Sequence, residues 1–189
     1  MNNNHITLKS INEHVTLTQK VVESMIDEIT EAALVCSEAI QKGHKVVLFG
    51  NGGSAADAQH IAAELSGRFL KERRGLPGLA LTTDTSVLTA VGNDYGFDMI
   101  FERQVEALAN KGDILIGIST SGNSPNVVKA IEKGKELGCT SIGFLGKNGG
   151  KLKEICDYSL VIPSTTTARI QEMHIMIGHI VCEYIDENY

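Results

Sequence analysis

The sequence predicts an α/β domain in which a parallel, five-stranded sheet is covered by helices on both faces. Two observations carry that expectation. Short continuous apolar runs, such as Val46-Val47-Leu48-Phe49 and Ile114-Leu115-Ile116, alternate with stretches of helical periodicity. Such runs suit strands buried on both faces, and strands separated by helices pair in parallel. The two strongest runs each end in a serine- and glycine-rich loop that opens a helical pattern, Gly50-Asn51-Gly52-Gly53-Ser54 and Ser119-Thr120-Ser121-Gly122-Asn123-Ser124. In an open parallel sheet, ligands lie beyond the carboxyl ends of the strands, which is where both loops fall. The 189 residues suit a single domain, 1–189, with 1–43 a helical oligomerisation region and 44–189 the α/β core.

Each element follows from its pattern. Apolar residues at 11, 15, 22, 25, 29, 32, 36 and 39 predict one long amphipathic helix over 11–40 with a heptad-like seam. A helix of that length exceeds one face of a small sheet, so its far half is expected to meet another copy of the chain. Strands are predicted over 46–50, 79–82, 113–118, 141–145 and 158–162, and helices over 54–68, 86–91, 98–109, 125–137 and 167–185. Ser54 with Asp57 three residues on resembles a capping box, and Ser124-Pro125 places a cap residue before proline at the first helical position.

Composition excludes several function classes. The net charge is −6, and the basic cluster Lys71-Glu72-Arg73-Arg74 is short and interrupted by an acid, which argues against a nucleic-acid partner. No apolar run approaches the roughly 18 residues of a membrane span, and the N-terminus lacks the pattern of a secretory signal. A cytoplasmic protein with no membrane partner is the expectation. Cys36, Cys139, Cys156 and Cys182 have no C-x-x-C spacing and read as reduced residues.

The loops carry the first chemical signal. Backbone N–H groups at a helix start are unpaired and sit at the positive end of the helix dipole, so they favour an anion. Ser119, Thr120, Ser121 and Ser124 add hydroxyl donors, which together read as a phosphate-holding sugar site. Neither loop is followed by Gly-Lys-Ser/Thr and neither fits G-x-G-x-x-G, so nucleotide binding is not indicated. On the helix after the first loop, His60 and Glu64 are four residues apart and share a face, a spacing that suits a divalent metal or a base beside its orienting partner. Gln171 and His179 stand in an otherwise apolar C-terminal helix, eight residues apart. That separation is about 12 Å of rise, too far for both to reach one small ion from the same helix. If both serve one kind of site, they do so from different copies of the chain. Whether Glu64 and His179 meet within one chain or across a subunit boundary is open at this stage.

Four segments together carry a resemblance: Gly50 to His60 with Glu64, Val91-Gly92-Asn93-Asp94-Tyr95-Gly96-Phe97, Gly117 to Ser124, and Ala168-Arg169-Ile170-Gln171-Glu172-Met173-His174 with His179. In order and spacing they resemble the bacterial phosphoheptose (sedoheptulose 7-phosphate) isomerases of the sugar isomerase (SIS) superfamily, over nearly the whole chain. The resemblance implies a three-layer, flavodoxin-like SIS fold and a homotetramer with sites at subunit interfaces. It implies conversion of sedoheptulose 7-phosphate to D-glycero-D-manno-heptose 7-phosphate, a first step toward the ADP- or GDP-activated heptoses of lipopolysaccharide or capsule. It also implies that Ser119, Thr120, Ser121 and Ser124 cradle the phosphate, while Asn51, Gly52, Gly53, Asn93 and Asp94 contact the sugar. His60, Glu64, Gln171 and His179 would bind Zn2+, with Glu64 and His179 the acid–base pair and Gln171 also touching substrate. Zinc would either take part in the chemistry or organise the site. Some members have Asp before the Arg-Ile-Gln-Glu motif where this chain has Ala168, so any role of that carboxylate is absent. A second reading is a homotetrameric binding platform of the replication-initiator-associating type, which resembles this family closely. That type lacks the Glu and His matching Glu64 and His179, and both are present here.

Overall fold

The structure, a computed structural model, describes residues 4–189. Two helices open it, α1 over Asn4–Ser24 and α2 over Ile26–Gln41. The helix expected over 11–40 therefore begins earlier and breaks at Met25, whose backbone (φ −134°, ψ 5°) leaves the helical range. No glycine or proline marks the break. Beside it the Ser24 hydroxyl donates to the Lys20 carbonyl at 2.8 Å, a back-bond that weakens and bends helices. The apolar seam continues across the break, with Leu17, Val21, Met25 and Ile29 all buried.

The chain then runs β1 (Val46–Gly50), α3 (Gly53–Ser66), β2 (Gly78–Ala80), α4 (Thr85–Asp94), a 3₁₀ turn (Phe97–Met99) and α5 (Glu102–Leu108). It continues through β3 (Ile114–Ser119), α6 (Pro125–Glu136), β4 (Thr140–Gly146), α7 (Gly150–Ile155), β5 (Tyr158–Ile162) and α8 (Thr167–Asn188). The helix expected over 98–109 is split into the 3₁₀ turn and α5. Helix α7 was not expected, because its six residues are too few to show a helical period.

All five strands pair in parallel in the order β2-β1-β3-β4-β5. Alternation along the buried strands feeds two cores. Leu48, Ile116 and Phe144 pack with α2, α3 and α8 on one face, and Phe49, Leu115 and Leu145 with α5, α6 and α7 on the other. From β1 the chain moves outward to β2, then returns to β3 on the other side of β1, with Gly50 opposite Ile118. The loops after β1 and β3 consequently leave the sheet side by side at its topological switch point.

Helix α1 rests on α8, where His14 Nδ1 lies 2.8 Å from Glu172 and Arg169 pairs with the same carboxylate at 2.6 Å. Among the described residues no helix is long and apolar enough to cross a membrane. The four cysteines are free, as expected, and burial pushes the Cys36, Cys156 and Cys182 thiols up to about 12 and Cys139 to about 11.

Candidate active site

The first loop sets the start of α3. Gly52 takes φ +59°, a left-handed conformation that favours glycine, and α3 begins at Gly53 with no side-chain cap. The expected Ser54–Asp57 capping box is not formed, because Ser54 already lies inside the helix. The N–H groups of Ser54, Ala55 and Ala56 are taken by the carbonyls of Asn51 and Gly52. Those of Gly52 and Gly53, both exposed, have no partner among the described residues. Asn51 exchanges two 2.9 Å hydrogen bonds with Asn126 of α6, each amide donating to the other's oxygen. Asn126 is 1% exposed and was not singled out in the sequence, where an Asn after Pro125 reads as an ordinary first-turn residue.

In the second loop the serine hydroxyls converge. Ser119 Oγ lies 2.9 Å from Ser124 Oγ and 3.4 Å from Ser121 Oγ, and accepts from the Gly122 N–H at 3.1 Å. Ser124 is the N-cap of α6 ahead of Pro125, as expected, yet its hydroxyl makes no capping bond and turns to Ser119 instead. Thr120 is half-buried in the same loop. Gly122 has φ +68°, and a Cβ there would run into the Gly149 carbonyl, so this turn accepts only glycine. Three hydroxyls thus gather at the positive end of α6 with a fixed backbone behind them. Asn93 and Asp94, by contrast, are exposed at the end of α4 and bonded to one another at 2.8 Å.

A second cluster forms where α3 crosses α8. His60 Nε2 lies 3.1 Å from Glu64 Oε1 and 3.4 Å from His179 Nε2, and the ligand atoms of all three fall within 4.8 Å of one another. They form a His/Glu/His group able to hold a metal ion. Glu64 and His179 therefore meet within one chain. The cause of the approach is Gly178, where a Cβ would meet Ile61 Cγ1 at 2.6 Å. With no side chain at that point the helices close up, and the neighbouring residues, His179 and His60, come together. Phe69 stacks on the His179 ring, with centroids 5.6 Å apart and 14° between planes. Neither Gly178 nor Phe69 carries a signal in the sequence, since their partners are remote along the chain.

Gln171 stands apart from this cluster. Its amide lies against Gly53, whose added Cβ would be 3.0 Å from Gln171 Cδ. Gly53 precedes His60 by about 10 Å of helix rise. One chain thus carries two separate groups, the loop region with Gln171 against Gly53, and the His60–Glu64–His179 cluster, which is open to solvent at His60, 48% exposed. Asp57 lies between them along α3, with Oδ2 buried and without a hydrogen-bond partner, and burial raises its pKa against the lowering influence of His60. His174 belongs to the core. Its Nε2 donates to the Leu145 carbonyl at 2.9 Å, and burial lowers its pKa to about 4, so the ring is neutral.

Comparison with known proteins identifies the family. The SIS domain family model matches residues 11–146. The phosphoheptose isomerase of Nitratiruptor is 60% identical over 181 residues, spanning 96% of this chain and 97% of its own. The structure of the phosphoheptose isomerase from Neisseria gonorrhoeae superposes with a TM-score of 0.93 at 42% identity, covering 97% of this chain and 98% of that one. For the Francisella tularensis phosphoheptose isomerase the TM-score is 0.95 at 37% identity, with 99% and 100% covered. The chain belongs to the phosphoheptose isomerase family of SIS-domain proteins.

Proposed function

We propose that this isomerase interconverts sedoheptulose 7-phosphate and D-glycero-D-manno-heptose 7-phosphate through a cis-enediol, with Glu64 and His179 as its acid–base pair. The observation that carries the reading is the meeting of Glu64 and His179 beside His60, three proton-transfer or ligand groups drawn from two helices. Moving a carbonyl from C2 to C1 requires one proton to leave C1 and return to C2, and one to be exchanged between the two oxygens. Glu64 takes the proton from C1 and returns it to C2. His179 donates to the C2 oxygen and accepts from the C1 hydroxyl, a task suited to an imidazole, which can both give and take a proton. The serine cradle after β3 holds the 7-phosphate.

Zinc fits the three donors. Tetrahedral zinc with bonds of 2.0–2.1 Å sets neighbouring ligands about 3.3–3.4 Å apart, and the contacts from His60 measure 3.1 and 3.4 Å. When bound, zinc would supply Lewis acidity toward the substrate oxygens. Gln171 joins this set from a neighbouring copy, a reading supported by the eight-residue separation from His179 along one helix.

The assembly we infer is a homotetramer in which the His60–Glu64–His179 half of one chain faces the serine loop and Gln171 of another. Exposed Leu8, Ile11, Val15, Val22 and Ile26 are three, four, seven and four residues apart along α1 and α2, an apolar seam suited to a second copy. The test is incubation of the purified chain with sedoheptulose 7-phosphate, with and without zinc, beside its Glu64→Gln variant. Formation of the aldoheptose phosphate by the parent but not the variant is expected. An inactive parent in a homogeneous tetramer would favour the binding-platform reading.

A further inference from the structure

We infer that Arg73 and Asp186 are positioning residues for the isomerisation, a buried ion pair that fixes where Glu64 and His179 stand relative to one another. The inference rests on the reading of those two groups as the acid–base pair. Arg73 lies in the segment between α3 and β2, and Asp186 near the end of α8. Their side chains are 7% and 2% exposed, and Arg73 Nε donates to Asp186 Oδ1 at 2.6 Å.

The remaining donors of the guanidinium separate this pair from a plain structural bridge. Nη2 donates to the carbonyl of Glu64 itself at 3.1 Å, and Nη1 to that of Leu65 at 3.0 Å. These belong to the last turn of α3, where carbonyls lack intrahelical partners and the helix dipole favours a cation. A single planar fork therefore grips α3 at the residue that carries the carboxylate.

On the opposite side, Asp186 follows His179 by seven residues, about two turns along the same face of α8. Its Oδ2 accepts from the N–H groups of Leu70 and Lys71 at 2.8 and 3.0 Å. That fixes the residue next to Phe69, the ring stacked on His179. Burial alone would raise the Asp186 pKa, but the Lys71 N–H, the Arg73 guanidinium and the Leu70 N–H together hold it below the usual carboxylate range. One ion pair thus ties the backbone of Glu64, the neighbour of Phe69 and the helix of His179 to a common point.

Removing one member alone would leave a buried charge unpaired and endanger folding. The test therefore uses the double variant Arg73→Met/Asp186→Leu, which removes both charges, and Arg73→Lys, which keeps the charge but loses the fork. For each full-length protein, circular dichroism and thermal melting report the fold, kcat and KM are measured separately, and zinc affinity is read by competition with a chelator. The double variant is expected to fold and to keep KM within about threefold. Its kcat should fall about 10- to 100-fold, the scale of an ångström-level misplacement, and its zinc affinity should fall with it. Arg73→Lys should lie between it and the parent. Parental kcat and zinc affinity in the folded double variant would overturn the proposal. If the double variant does not fold, a parental kcat in Arg73→Lys does so. An inactive Glu64→Gln protein beside unimpaired clamp variants refutes positioning alone, whereas an active Glu64→Gln protein refutes the acid–base reading beneath it.

Discussion

Replacing Gly178 by alanine should disable the enzyme while leaving it folded. The new Cβ would stand 2.6 Å from Ile61 Cγ1, against the ordinary carbon–carbon contact of about 3.5–4.0 Å. Ile61 is 1% exposed and has little room to turn aside, so α8 must retreat from α3 by about 1 Å. Overpacking of this kind costs about 1–3 kcal/mol, and alanine returns up to about 1 kcal/mol through its higher helix propensity. The net loss of stability is then about 0–2 kcal/mol. The same ångström separates His179 from His60 and Glu64, where misplacement costs about 100-fold in rate, or roughly 2.7 kcal/mol of transition-state stabilisation. The assay pairs a thermal melt with kcat and KM on sedoheptulose 7-phosphate. We expect a melting point shifted by a few degrees, an almost unchanged KM and a kcat lowered about 100-fold. Trimming the opposing side chain in Gly178→Ala/Ile61→Val should recover part of the rate. A Gly178→Ala protein with parental kcat would show that the crossing distance does not set the geometry of the pair.

The other predictions concern the loops, the assembly and the core. Ser119→Ala or Ser121→Ala removes a hydrogen bond to a charged phosphate, worth about 1.5–3 kcal/mol, so KM should rise about tenfold or more; unchanged KM in both would move the phosphate elsewhere. Subunit exchange between Glu64→Gln and the triple variant Ser119→Ala/Ser121→Ala/Ser124→Ala should restore activity above either parent, because each hybrid can assemble one intact site from two chains. Exchange between Glu64→Gln and His179→Ala should restore none, since the two residues share a chain; recovery in that mixture would contradict the structure. His174 has a folded pKa near 4, below its unfolded value near 6.5. Its contribution to stability is thus complete above pH 6.5 and is lost as pH falls toward 4, to a total of about 3 kcal/mol. Denaturant titrations over that range should be flatter for His174→Gln, and equal slopes would refute this account.

Much of the fold was legible because the strands are buried on both faces. Val46 to Gly50 and Tyr158 to Ile162 were bounded from pattern alone, and the other strands to within a residue or two. The break at Met25 was not legible, since no residue there forbids a helix. Residue types in the site were legible through spacing on single helices, His60 with Glu64 and Gln171 apart from His179. The contacts that bring distant segments together were not. Asn126, Gly178 and Arg73 act on partners far away in sequence, and a single chain read in order carries no mark of such pairs. The misplaced capping box has a local cause, because the left-handed turn at Gly52 starts α3 before Ser54 can cap it.

The reciprocal amide pair between Asn51 and Asn126 bears on how affinity is used. It joins the loop after β1 to the first turn of α6, so the loops proposed to hold the sugar and its phosphate are already tied to one another in the free protein. A sugar phosphate arriving there does not have to draw the loops together or freeze them. Interaction energy that would otherwise go into ordering the protein remains free to favour the enediol over the starting sugar. On the proposed reading the same rigidity also limits which phosphosugars fit, because two loops tied to one another have little slack with which to follow a sugar of different shape.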